Sequence, residues 1–306
     1  MQRLIARRTF VAASAGLGIT AYATSSFYLR KPELLDDGAP KRTFTGQIGF
    51  QKLTLESVEQ VNHNVKRLRF SLPERDAVSG LTLNSALLSY SWPSGALIPV
   101  LRPYSPISTP STVGHVDLLV KHYPSGKASS HIHSLAPGDQ LSFRGPLVHF
   151  AWTPNAFKNI ALIAGGAGIT PCFQLIKGIL EDPKDKTAIT LIVGNRSPGD
   201  VLLKEELAKL ERESGRRLRV VHTIGEGDGS DEQGGKKEGL RSGRITKELL
   251  GEVLSKEKLA RDGKIFVCGP PGMEEAVAGK NGFFGWGKTG GILGELGYGN
   301  EVVHKF

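Results

Sequence analysis

Hydrophobic and polar positions change their rhythm near residue 150. Before it, apolar residues come in short runs at 50–59, 65–72, 86–92, 115–123 and 140–144, separated by Gly, Pro, Ser and Asn. Short β-type runs with turn residues between them predict an antiparallel barrel or sandwich. Residues 65–70 alternate imperfectly, as a half-buried strand does. Pro137-Gly138-Asp139 marks a turn into the last strand of this half, and Gly145-Pro146 is expected to end it. After residue 158 the apolar runs become continuous, at 159–164, 189–193, 218–224 and 263–268. That is the pattern of parallel strands covered on both faces. Residues 169–180 predict a helix whose first turn can accept Pro171. The expected fold class is therefore β + α/β, an antiparallel barrel followed by an open parallel sheet. The expected division is 1–42 leader and linker, 43–150 barrel, 151–158 connection and 159–306 parallel-sheet domain.

A chain of 306 residues, 39% hydrophobic and 23% charged, suits two domains with separate cores and excludes a disordered or polytopic membrane protein. The front end differs. Residues 1–29 hold no acid, and Arg3, Arg7 and Arg8 precede an uncharged run at 9–29. This profile predicts a mitochondrial targeting segment. The run is also long enough to cross a bilayer as a helix, although its small and hydroxylated residues make it only mildly apolar. Two rival readings are a twin-arginine export signal at Arg7-Arg8-Thr9-Phe10 and a tail without function. Formal net charge is +9; residues 1–42 hold seven Lys/Arg and three Asp/Glu, so four charges lie there and five on the body. A diffuse excess of this size attracts acidic partners and does not imply nucleic acid. The only cysteines, Cys172 and Cys268, have neither disulfide-framework nor zinc spacing, and no metal site is expected.

Several short motifs carry chemistry. Arg102-Pro103-Tyr104-Ser105-Pro106 combines a guanidinium, a ring and a hydroxyl, a set that suits a flavin; read alone, it is an edge strand blocked by prolines. Gly126-Lys127-Ala128-Ser129 opens a helix with successive free N–H groups, a phosphate nest. Gly165-Gly166-Ala167-Gly168-Ile169-Thr170-Pro171 lies between strand and helix without the Rossmann glycine spacing, and alone reads equally as a tight turn. Asn195 and Arg196 follow the next strand, with Asp200 expected to cap the helix after it. Cys268-Gly269-Pro270-Pro271-Gly272-Met273 ends a buried strand at the sheet edge where ligands of open α/β sheets bind; Cys268 alone would be a small buried hydrophobe. His131 and His133, two apart, are expected at the surface or at a cap rather than as ligands.

In this combination and order the motifs resemble the ferredoxin-NADP reductase superfamily, and within it the NADH-cytochrome b5 reductases, from about residue 44 to residue 306. The resemblance implies an FAD-binding barrel, a Rossmann-like NAD(P)-binding domain, and FAD and NADH as cofactors, with NADPH left open. It implies Arg102 on the flavin pyrophosphate, Tyr104 over the isoalloxazine and Ser105 at its N5 edge, with Pro103, Leu119, Lys121 and Tyr123 nearby. Gly126, Lys127, Ala128 and Ser129 would hold the pyrophosphate, Ala128 replacing the usual Met. Gly165, Gly166 and Gly168 would serve the nicotinamide dinucleotide, Thr170 would also reach the flavin, and Asn195 and Arg196 would meet ribose or phosphate oxygens. Cys268 would lie beside the nicotinamide with Gly269, Pro270 and Met273, and Phe306 close to the flavin. Ser105, Thr170 and Cys268 are the implied catalytic residues.

The chain departs from the family at three places. Ala167 stands where many relatives carry Thr, and Gly225 where NADH-preferring relatives carry Asp. Residues 225–243, with seven Gly, predict a surface insertion. The Gly-rich 279–294, with Phe283, Phe284 and Trp286, is atypical. By resemblance, the expected activity passes a hydride from NAD(P)H to FAD and then single electrons to a haem protein, with cytochrome b5 as acceptor. Two alternatives stay open: haem reduction for cytochrome c attachment, as in the cytochrome c mitochondrial import factor, and an anchored flavin-binding scaffold with little turnover. The expected location is mitochondrial, with the N-terminal segment on a membrane.

Overall fold

A computed structural model describes residues 39–93, 96–225, 240–280 and 288–306. The leader and its rival readings lie outside these residues. Among the described residues no helix is long and apolar enough to cross a membrane.

The first half forms one antiparallel sheet of six strands: β1 (Gln51–Asn62), β2 (Val65–Ser71), β3 (Ser85–Ser91), β4 (Val100–Tyr104), β5 (His115–Lys121) and β6 (Gln140–Val148). Their order is β4-β3-β6-β1-β2-β5. Leu53, Leu55, Leu68, Phe70, Val116, Leu118, Val120 and Phe143 point inward and close on Phe44 and on Ile132 of helix α1 (Lys127–Ser134). β6 continues through Gly145 and Pro146, beyond its expected end. The ladder with β3 shifts register between Ala86 and Leu88, so the two residues sit in a bulge where a missing N–H breaks no pairing.

The imperfect alternation of β2 and β5 has a tertiary cause. Leu68, Phe70, Leu118 and Val120 face the barrel core, whereas Val65 and Leu119 on the opposite face join the core of the second half. Asp117 shares that outer face and is 3% exposed. It accepts from Arg69 Nε at 2.8 Å and from Arg67 Nη2 at 2.9 Å. Burial alone would raise its pKa, but the hydrogen bonds from Arg69 and Arg67 outweigh it and hold the carboxyl below its ordinary value. A lowered folded pKa contributes stability that is present above the unfolded value, about 3.9, and lost as pH falls through the folded one. Asp117→Asn is therefore expected to lower the melting temperature at pH 7 and to flatten its decline below about pH 5; melting curves across that range check it.

The second half is an all-parallel sheet: β7 (Asn159–Gly165), β8 (Ala188–Asn195), β9 (Leu218–Ile224), β10 (Leu240–Ser242), β11 (Gly263–Cys268) and β12 (Val303–Lys305), in the order β10-β9-β8-β7-β11-β12. Helices α2 (Ile169–Glu181) and α3 (Lys204–Glu213) cover one face; α4 (Lys247–Val253), α5 (Lys256–Asp262), α6 (Pro271–Ala278) and α7 (Gly291–Glu295) cover the other. β7 has β8 on one side and β11 on the other, so chain direction across the sheet reverses there and leaves a crevice at the strands' carboxyl ends.

Residues 225–243 are not wholly an insertion. Residues 240–242 form β10, held by parallel pairing of Leu240 with His222 and by the fork of Arg241 on Glu252. Residues 226–239 lie outside the described residues, as do Phe283, Phe284 and Trp286.

The halves share a packed interface. Gln174 of α2, 1% exposed, accepts from Ser85 N at 3.0 Å and donates to Ser85 O and Pro106 O at 3.1 Å each. Leu83 lies directly on Gly178, where a Cβ would collide with its side chain. Asn62 Nδ2 donates to Gly199 O at 3.1 Å.

Candidate active site

The barrel side of the crevice is built by β4, β5 and α1. β4 ends at Tyr104, with Arg102 opposite Ser89 and Tyr104 opposite Leu87. The Arg102 side chain is exposed and donates to the Leu101 carbonyl at 2.8 Å. Burial pushes the Tyr104 phenol up to about 12 against the opposing charge of Arg102, so it stays protonated at neutral pH. Ser105 follows, 9% exposed.

After β5 the chain turns at Tyr123, and Gly126 N donates back to Tyr123 O at 2.8 Å. Ser129 Oγ accepts from Tyr123 N at 3.2 Å and donates to Gly126 O at 2.9 Å. A Cβ at Gly126 would press on Ser129 and Tyr123. α1 starts with no side-chain cap, so its first-turn N–H groups are left for an outside acceptor. Lys127 is exposed beside them, and Ala128 is buried at 5% exposure. His133 Nε2 contacts Val120 O at 2.8 Å and fastens α1 to β5, a structural position.

The other wall is built where β7 and β11 end side by side. Gly166, with φ +50°, opens a single 3₁₀ turn (Gly166–Gly168) leading into α2, and a Cβ there would meet open space. Gly168 packs against the Cys268 carbonyl, and Gly165 and Gly269 both pack against Met273. Gly269 N donates to Glu274 Oε1 at 3.0 Å. Pro270 caps the start of α6. Thr170, 8% exposed, donates to Ala167 O at 3.2 Å.

Burial, with a smaller push from Glu274, raises the Cys268 thiol to about 12. It is therefore a neutral thiol rather than a nucleophile at physiological pH. Alkylation of Cys268 by iodoacetamide is expected to stay slow from pH 7 to pH 9, as read by mass spectrometry of the modified peptide. Rapid labelling at pH 8 would contradict this. Burial raises the Tyr123 phenol above its ordinary value.

Asn195, at the end of β8 and 8% exposed, has both amide atoms buried without a hydrogen-bond partner among the described residues. A buried unpaired amide is costly, and a hydroxyl- or phosphate-bearing ligand would satisfy it. Arg196 beside it is exposed. Asp200 does not cap α3: the N-cap is Leu203, with φ +55° and no side-chain cap. Instead Asp200, 8% exposed, accepts from Ser197 Oγ at 2.8 Å and pairs with Lys121 Nζ at 3.4 Å across the crevice. Its carboxyl is held low: burial opposes the shift, and Ser197 and Lys121 outweigh it.

The Leu119 side chain lies in the core between the halves. Phe306 donates its N–H to Val267 O and packs its ring against Phe266, His149 and His304 at 5.7–5.8 Å. Gln174 was not foreseen, although a Gln within an otherwise apolar helical run was a visible signal. A cavity of about 450 Å³ lies away from all these residues, between α2, α3 and Ile107.

A crevice at a sheet's switch point, walled by glycines and faced by a guanidinium, a phenol and an uncapped helix, fits two nucleotide cofactors. Together with the two sheets it defines a flavin- and nicotinamide-dependent oxidoreductase. Residues 52–152 match the oxidoreductase FAD-binding domain family, and residues 162–279 the oxidoreductase NAD-binding domain family. Two relatives named NADH-cytochrome b5 reductase 2 are similar over most of the chain. The one from Pyricularia oryzae is 47% identical over 87% of this chain and 78% of its own length. The one from Neurospora crassa is 48% identical over 90% and 78%. The cytochrome b5 reductase domain of Ulva prolifera nitrate reductase superposes with a TM-score of 0.72 at 26% identity, over 88% of this chain and all of that one. The chain belongs to the NADH-cytochrome b5 reductase family, and its cofactors are FAD and NADH.

Proposed function

We propose that this chain takes reducing equivalents from NADH through FAD and passes them singly to cytochrome b5. When bound, FAD accepts a hydride from NADH and releases electrons one at a time. The chain's residues bind and align. Arg102, Lys127 and the first-turn N–H groups of α1 hold the flavin pyrophosphate, with Gly126 and Ser129 shaping that turn and Ala128 behind it. Tyr104, with Tyr123, covers the ring system while Pro103 fixes the strand between Arg102 and Tyr104, Ser105 offers its hydroxyl at the N5 edge, and Lys121 stays tethered by Asp200. Gly166, where a Cβ would meet open space, lets NADH approach α2, while Gly165 and Gly168 let the turn lie against the Cys268–Met273 loop and Asn195 and Arg196 take ribose or phosphate oxygens. Thr170 and Cys268 flank the nicotinamide, with Gly269, Pro270 and Met273 supporting the loop and Phe306 closing the far side. Cys268 acts by shape, as a neutral thiol, and no general base is needed.

The observation that supports this reading best is the buried Asn195 amide at the carboxyl edge of the sheet, which has no partner among the described residues. Purified protein is expected to carry FAD, to reduce ferricyanide with NADH, and to reduce soluble cytochrome b5. Absence of NADH-dependent ferricyanide reduction would leave only a scaffold. Efficient reduction of cytochrome c with its haem-attachment enzyme, and not of cytochrome b5, would move the acceptor assignment to that system. The body's five-charge excess suits an acidic cytochrome. Weaker reduction at high salt is expected, because exposed charges are screened. The leader's composition supports a mitochondrial location, tested by import of the full chain into isolated mitochondria.

A further inference from the structure

The outer face of the first sheet carries apolar side chains that the crevice does not use. Cross-strand pairing aligns Leu101, Tyr90, Ser142 and Lys52 in one row across β4, β3, β6 and β1. Leu88 and Arg144 lie opposite each other in the adjacent row. Phe50, Tyr90 and Trp92 form a chain of rings at 5.3 Å and 6.0 Å along this face. Beyond them, in the β3–β4 connection, Leu97 is 96% and Ile98 74% exposed. Neighbours in a strand point to opposite sides, so Leu101 faces away from Arg102, and the patch is not the flavin wall left open. Singly exposed apolar residues are ordinary, but a contiguous group on one face marks an interaction surface.

Two further observations say what covers it. Its charged members are Lys52 and Arg144, and neither row contains a carboxylate. The chain also enters the fold at this place. Phe44 is 1% exposed in the barrel core, and residues 45–50 run from it onto the patch, where Ile48 is 86% exposed and Phe50 38%. In sequence, the uncharged run at 9–29 comes before this segment.

We propose that this face, with Leu97 and Ile98 at its tip, rests on an anionic lipid surface and orients the reductase there. Aromatic side chains favour the interfacial zone, aliphatic side chains at a tip insert shallowly, and Lys and Arg add attraction to acidic headgroups. Stable attachment takes two signals, and this face supplies one that does not depend on the leader.

The test is hydrogen–deuterium exchange on the full chain, with FAD, mixed with vesicles of phosphatidylcholine containing phosphatidylserine or of phosphatidylcholine alone. Exchange at residues 47–52 and 88–101 is expected to slow roughly tenfold on the anionic vesicles and less on the neutral ones. The double substitution Leu97→Asp, Ile98→Asp is expected to abolish that protection while ferricyanide reduction by NADH is unchanged. Lys52→Glu is expected to weaken it. Equal exchange with and without anionic vesicles would overturn the proposal. So would protection of this face that appears only when cytochrome b5 is added, which would make it a protein docking surface. Loss of NADH–ferricyanide activity would count against the functional reading instead, so the two can fail separately.

Discussion

Gly168→Ala is expected to lower kcat/KM for NADH by about a hundredfold while leaving FAD in place. The backbone at Gly168 suits any residue, so the effect does not come from conformational freedom. It comes from space: an added Cβ would lie on the Cys268 carbonyl, 2.5 Å from its carbon and 2.8 Å from Gly269 N. Those neighbours are backbone atoms of a loop fixed by the Gly269 N–H bond to Glu274 and by packing of Met273 under Gly165 and Gly269. They cannot rotate away as a side chain would. The glycine turn and the cysteine loop must separate, and a shift of about 1 Å between positioning groups costs about two orders of magnitude in rate. Steady-state ferricyanide reduction at varied NADH measures the change, and flavin content reports whether the barrel is intact. An NADH dependence within about twofold of the parent would mean that the close approach is not required.

Gln174→Leu is expected to destabilise the protein by about 3–9 kcal/mol, since three buried polar groups are left unpaired at about 1–3 kcal/mol each. The side chain satisfies the N–H and C=O of Ser85 and the C=O of Pro106, all in the interface between the two halves, and leucine offers none of these bonds. No neighbouring side chain could replace three such bonds, and water would have to enter a packed core. Calorimetry should show a melting temperature lower by about 10 °C. Flavin should also dissociate more readily, because Pro106 immediately follows Ser105. Gln174→Glu keeps the acceptor for Ser85 N but loses both donations, so its charge and two orphaned carbonyls should make it at least as unstable. A melting temperature within about 2 °C of the parent for the leucine variant would show that the interface tolerates the loss.

Much of this was legible along the chain. The strands at 218–224 and 263–268 have the expected limits because both are continuous apolar runs, and α2 extends one residue past its expected end. The glycines of the nucleotide wall were readable because a close backbone approach admits no side chain. Asp200 was misread because its position ahead of a helix suggested a cap, whereas its partner Lys121 is 79 residues away. The same distance problem hid β10, whose three residues owe their pairing to β9.

Local pattern by itself determined the two sheet types, their sequential order and the chemical groups offered to the cofactors, because period, apolar run length and glycine spacing act over a few residues. Tertiary structure alone decided which outer faces are covered, how Gln174 and Leu83 lock the halves, and that the Asn195 amide is buried without a partner among the described residues. Those features depend on segments distant in sequence excluding water together, and no local window records which segments will meet.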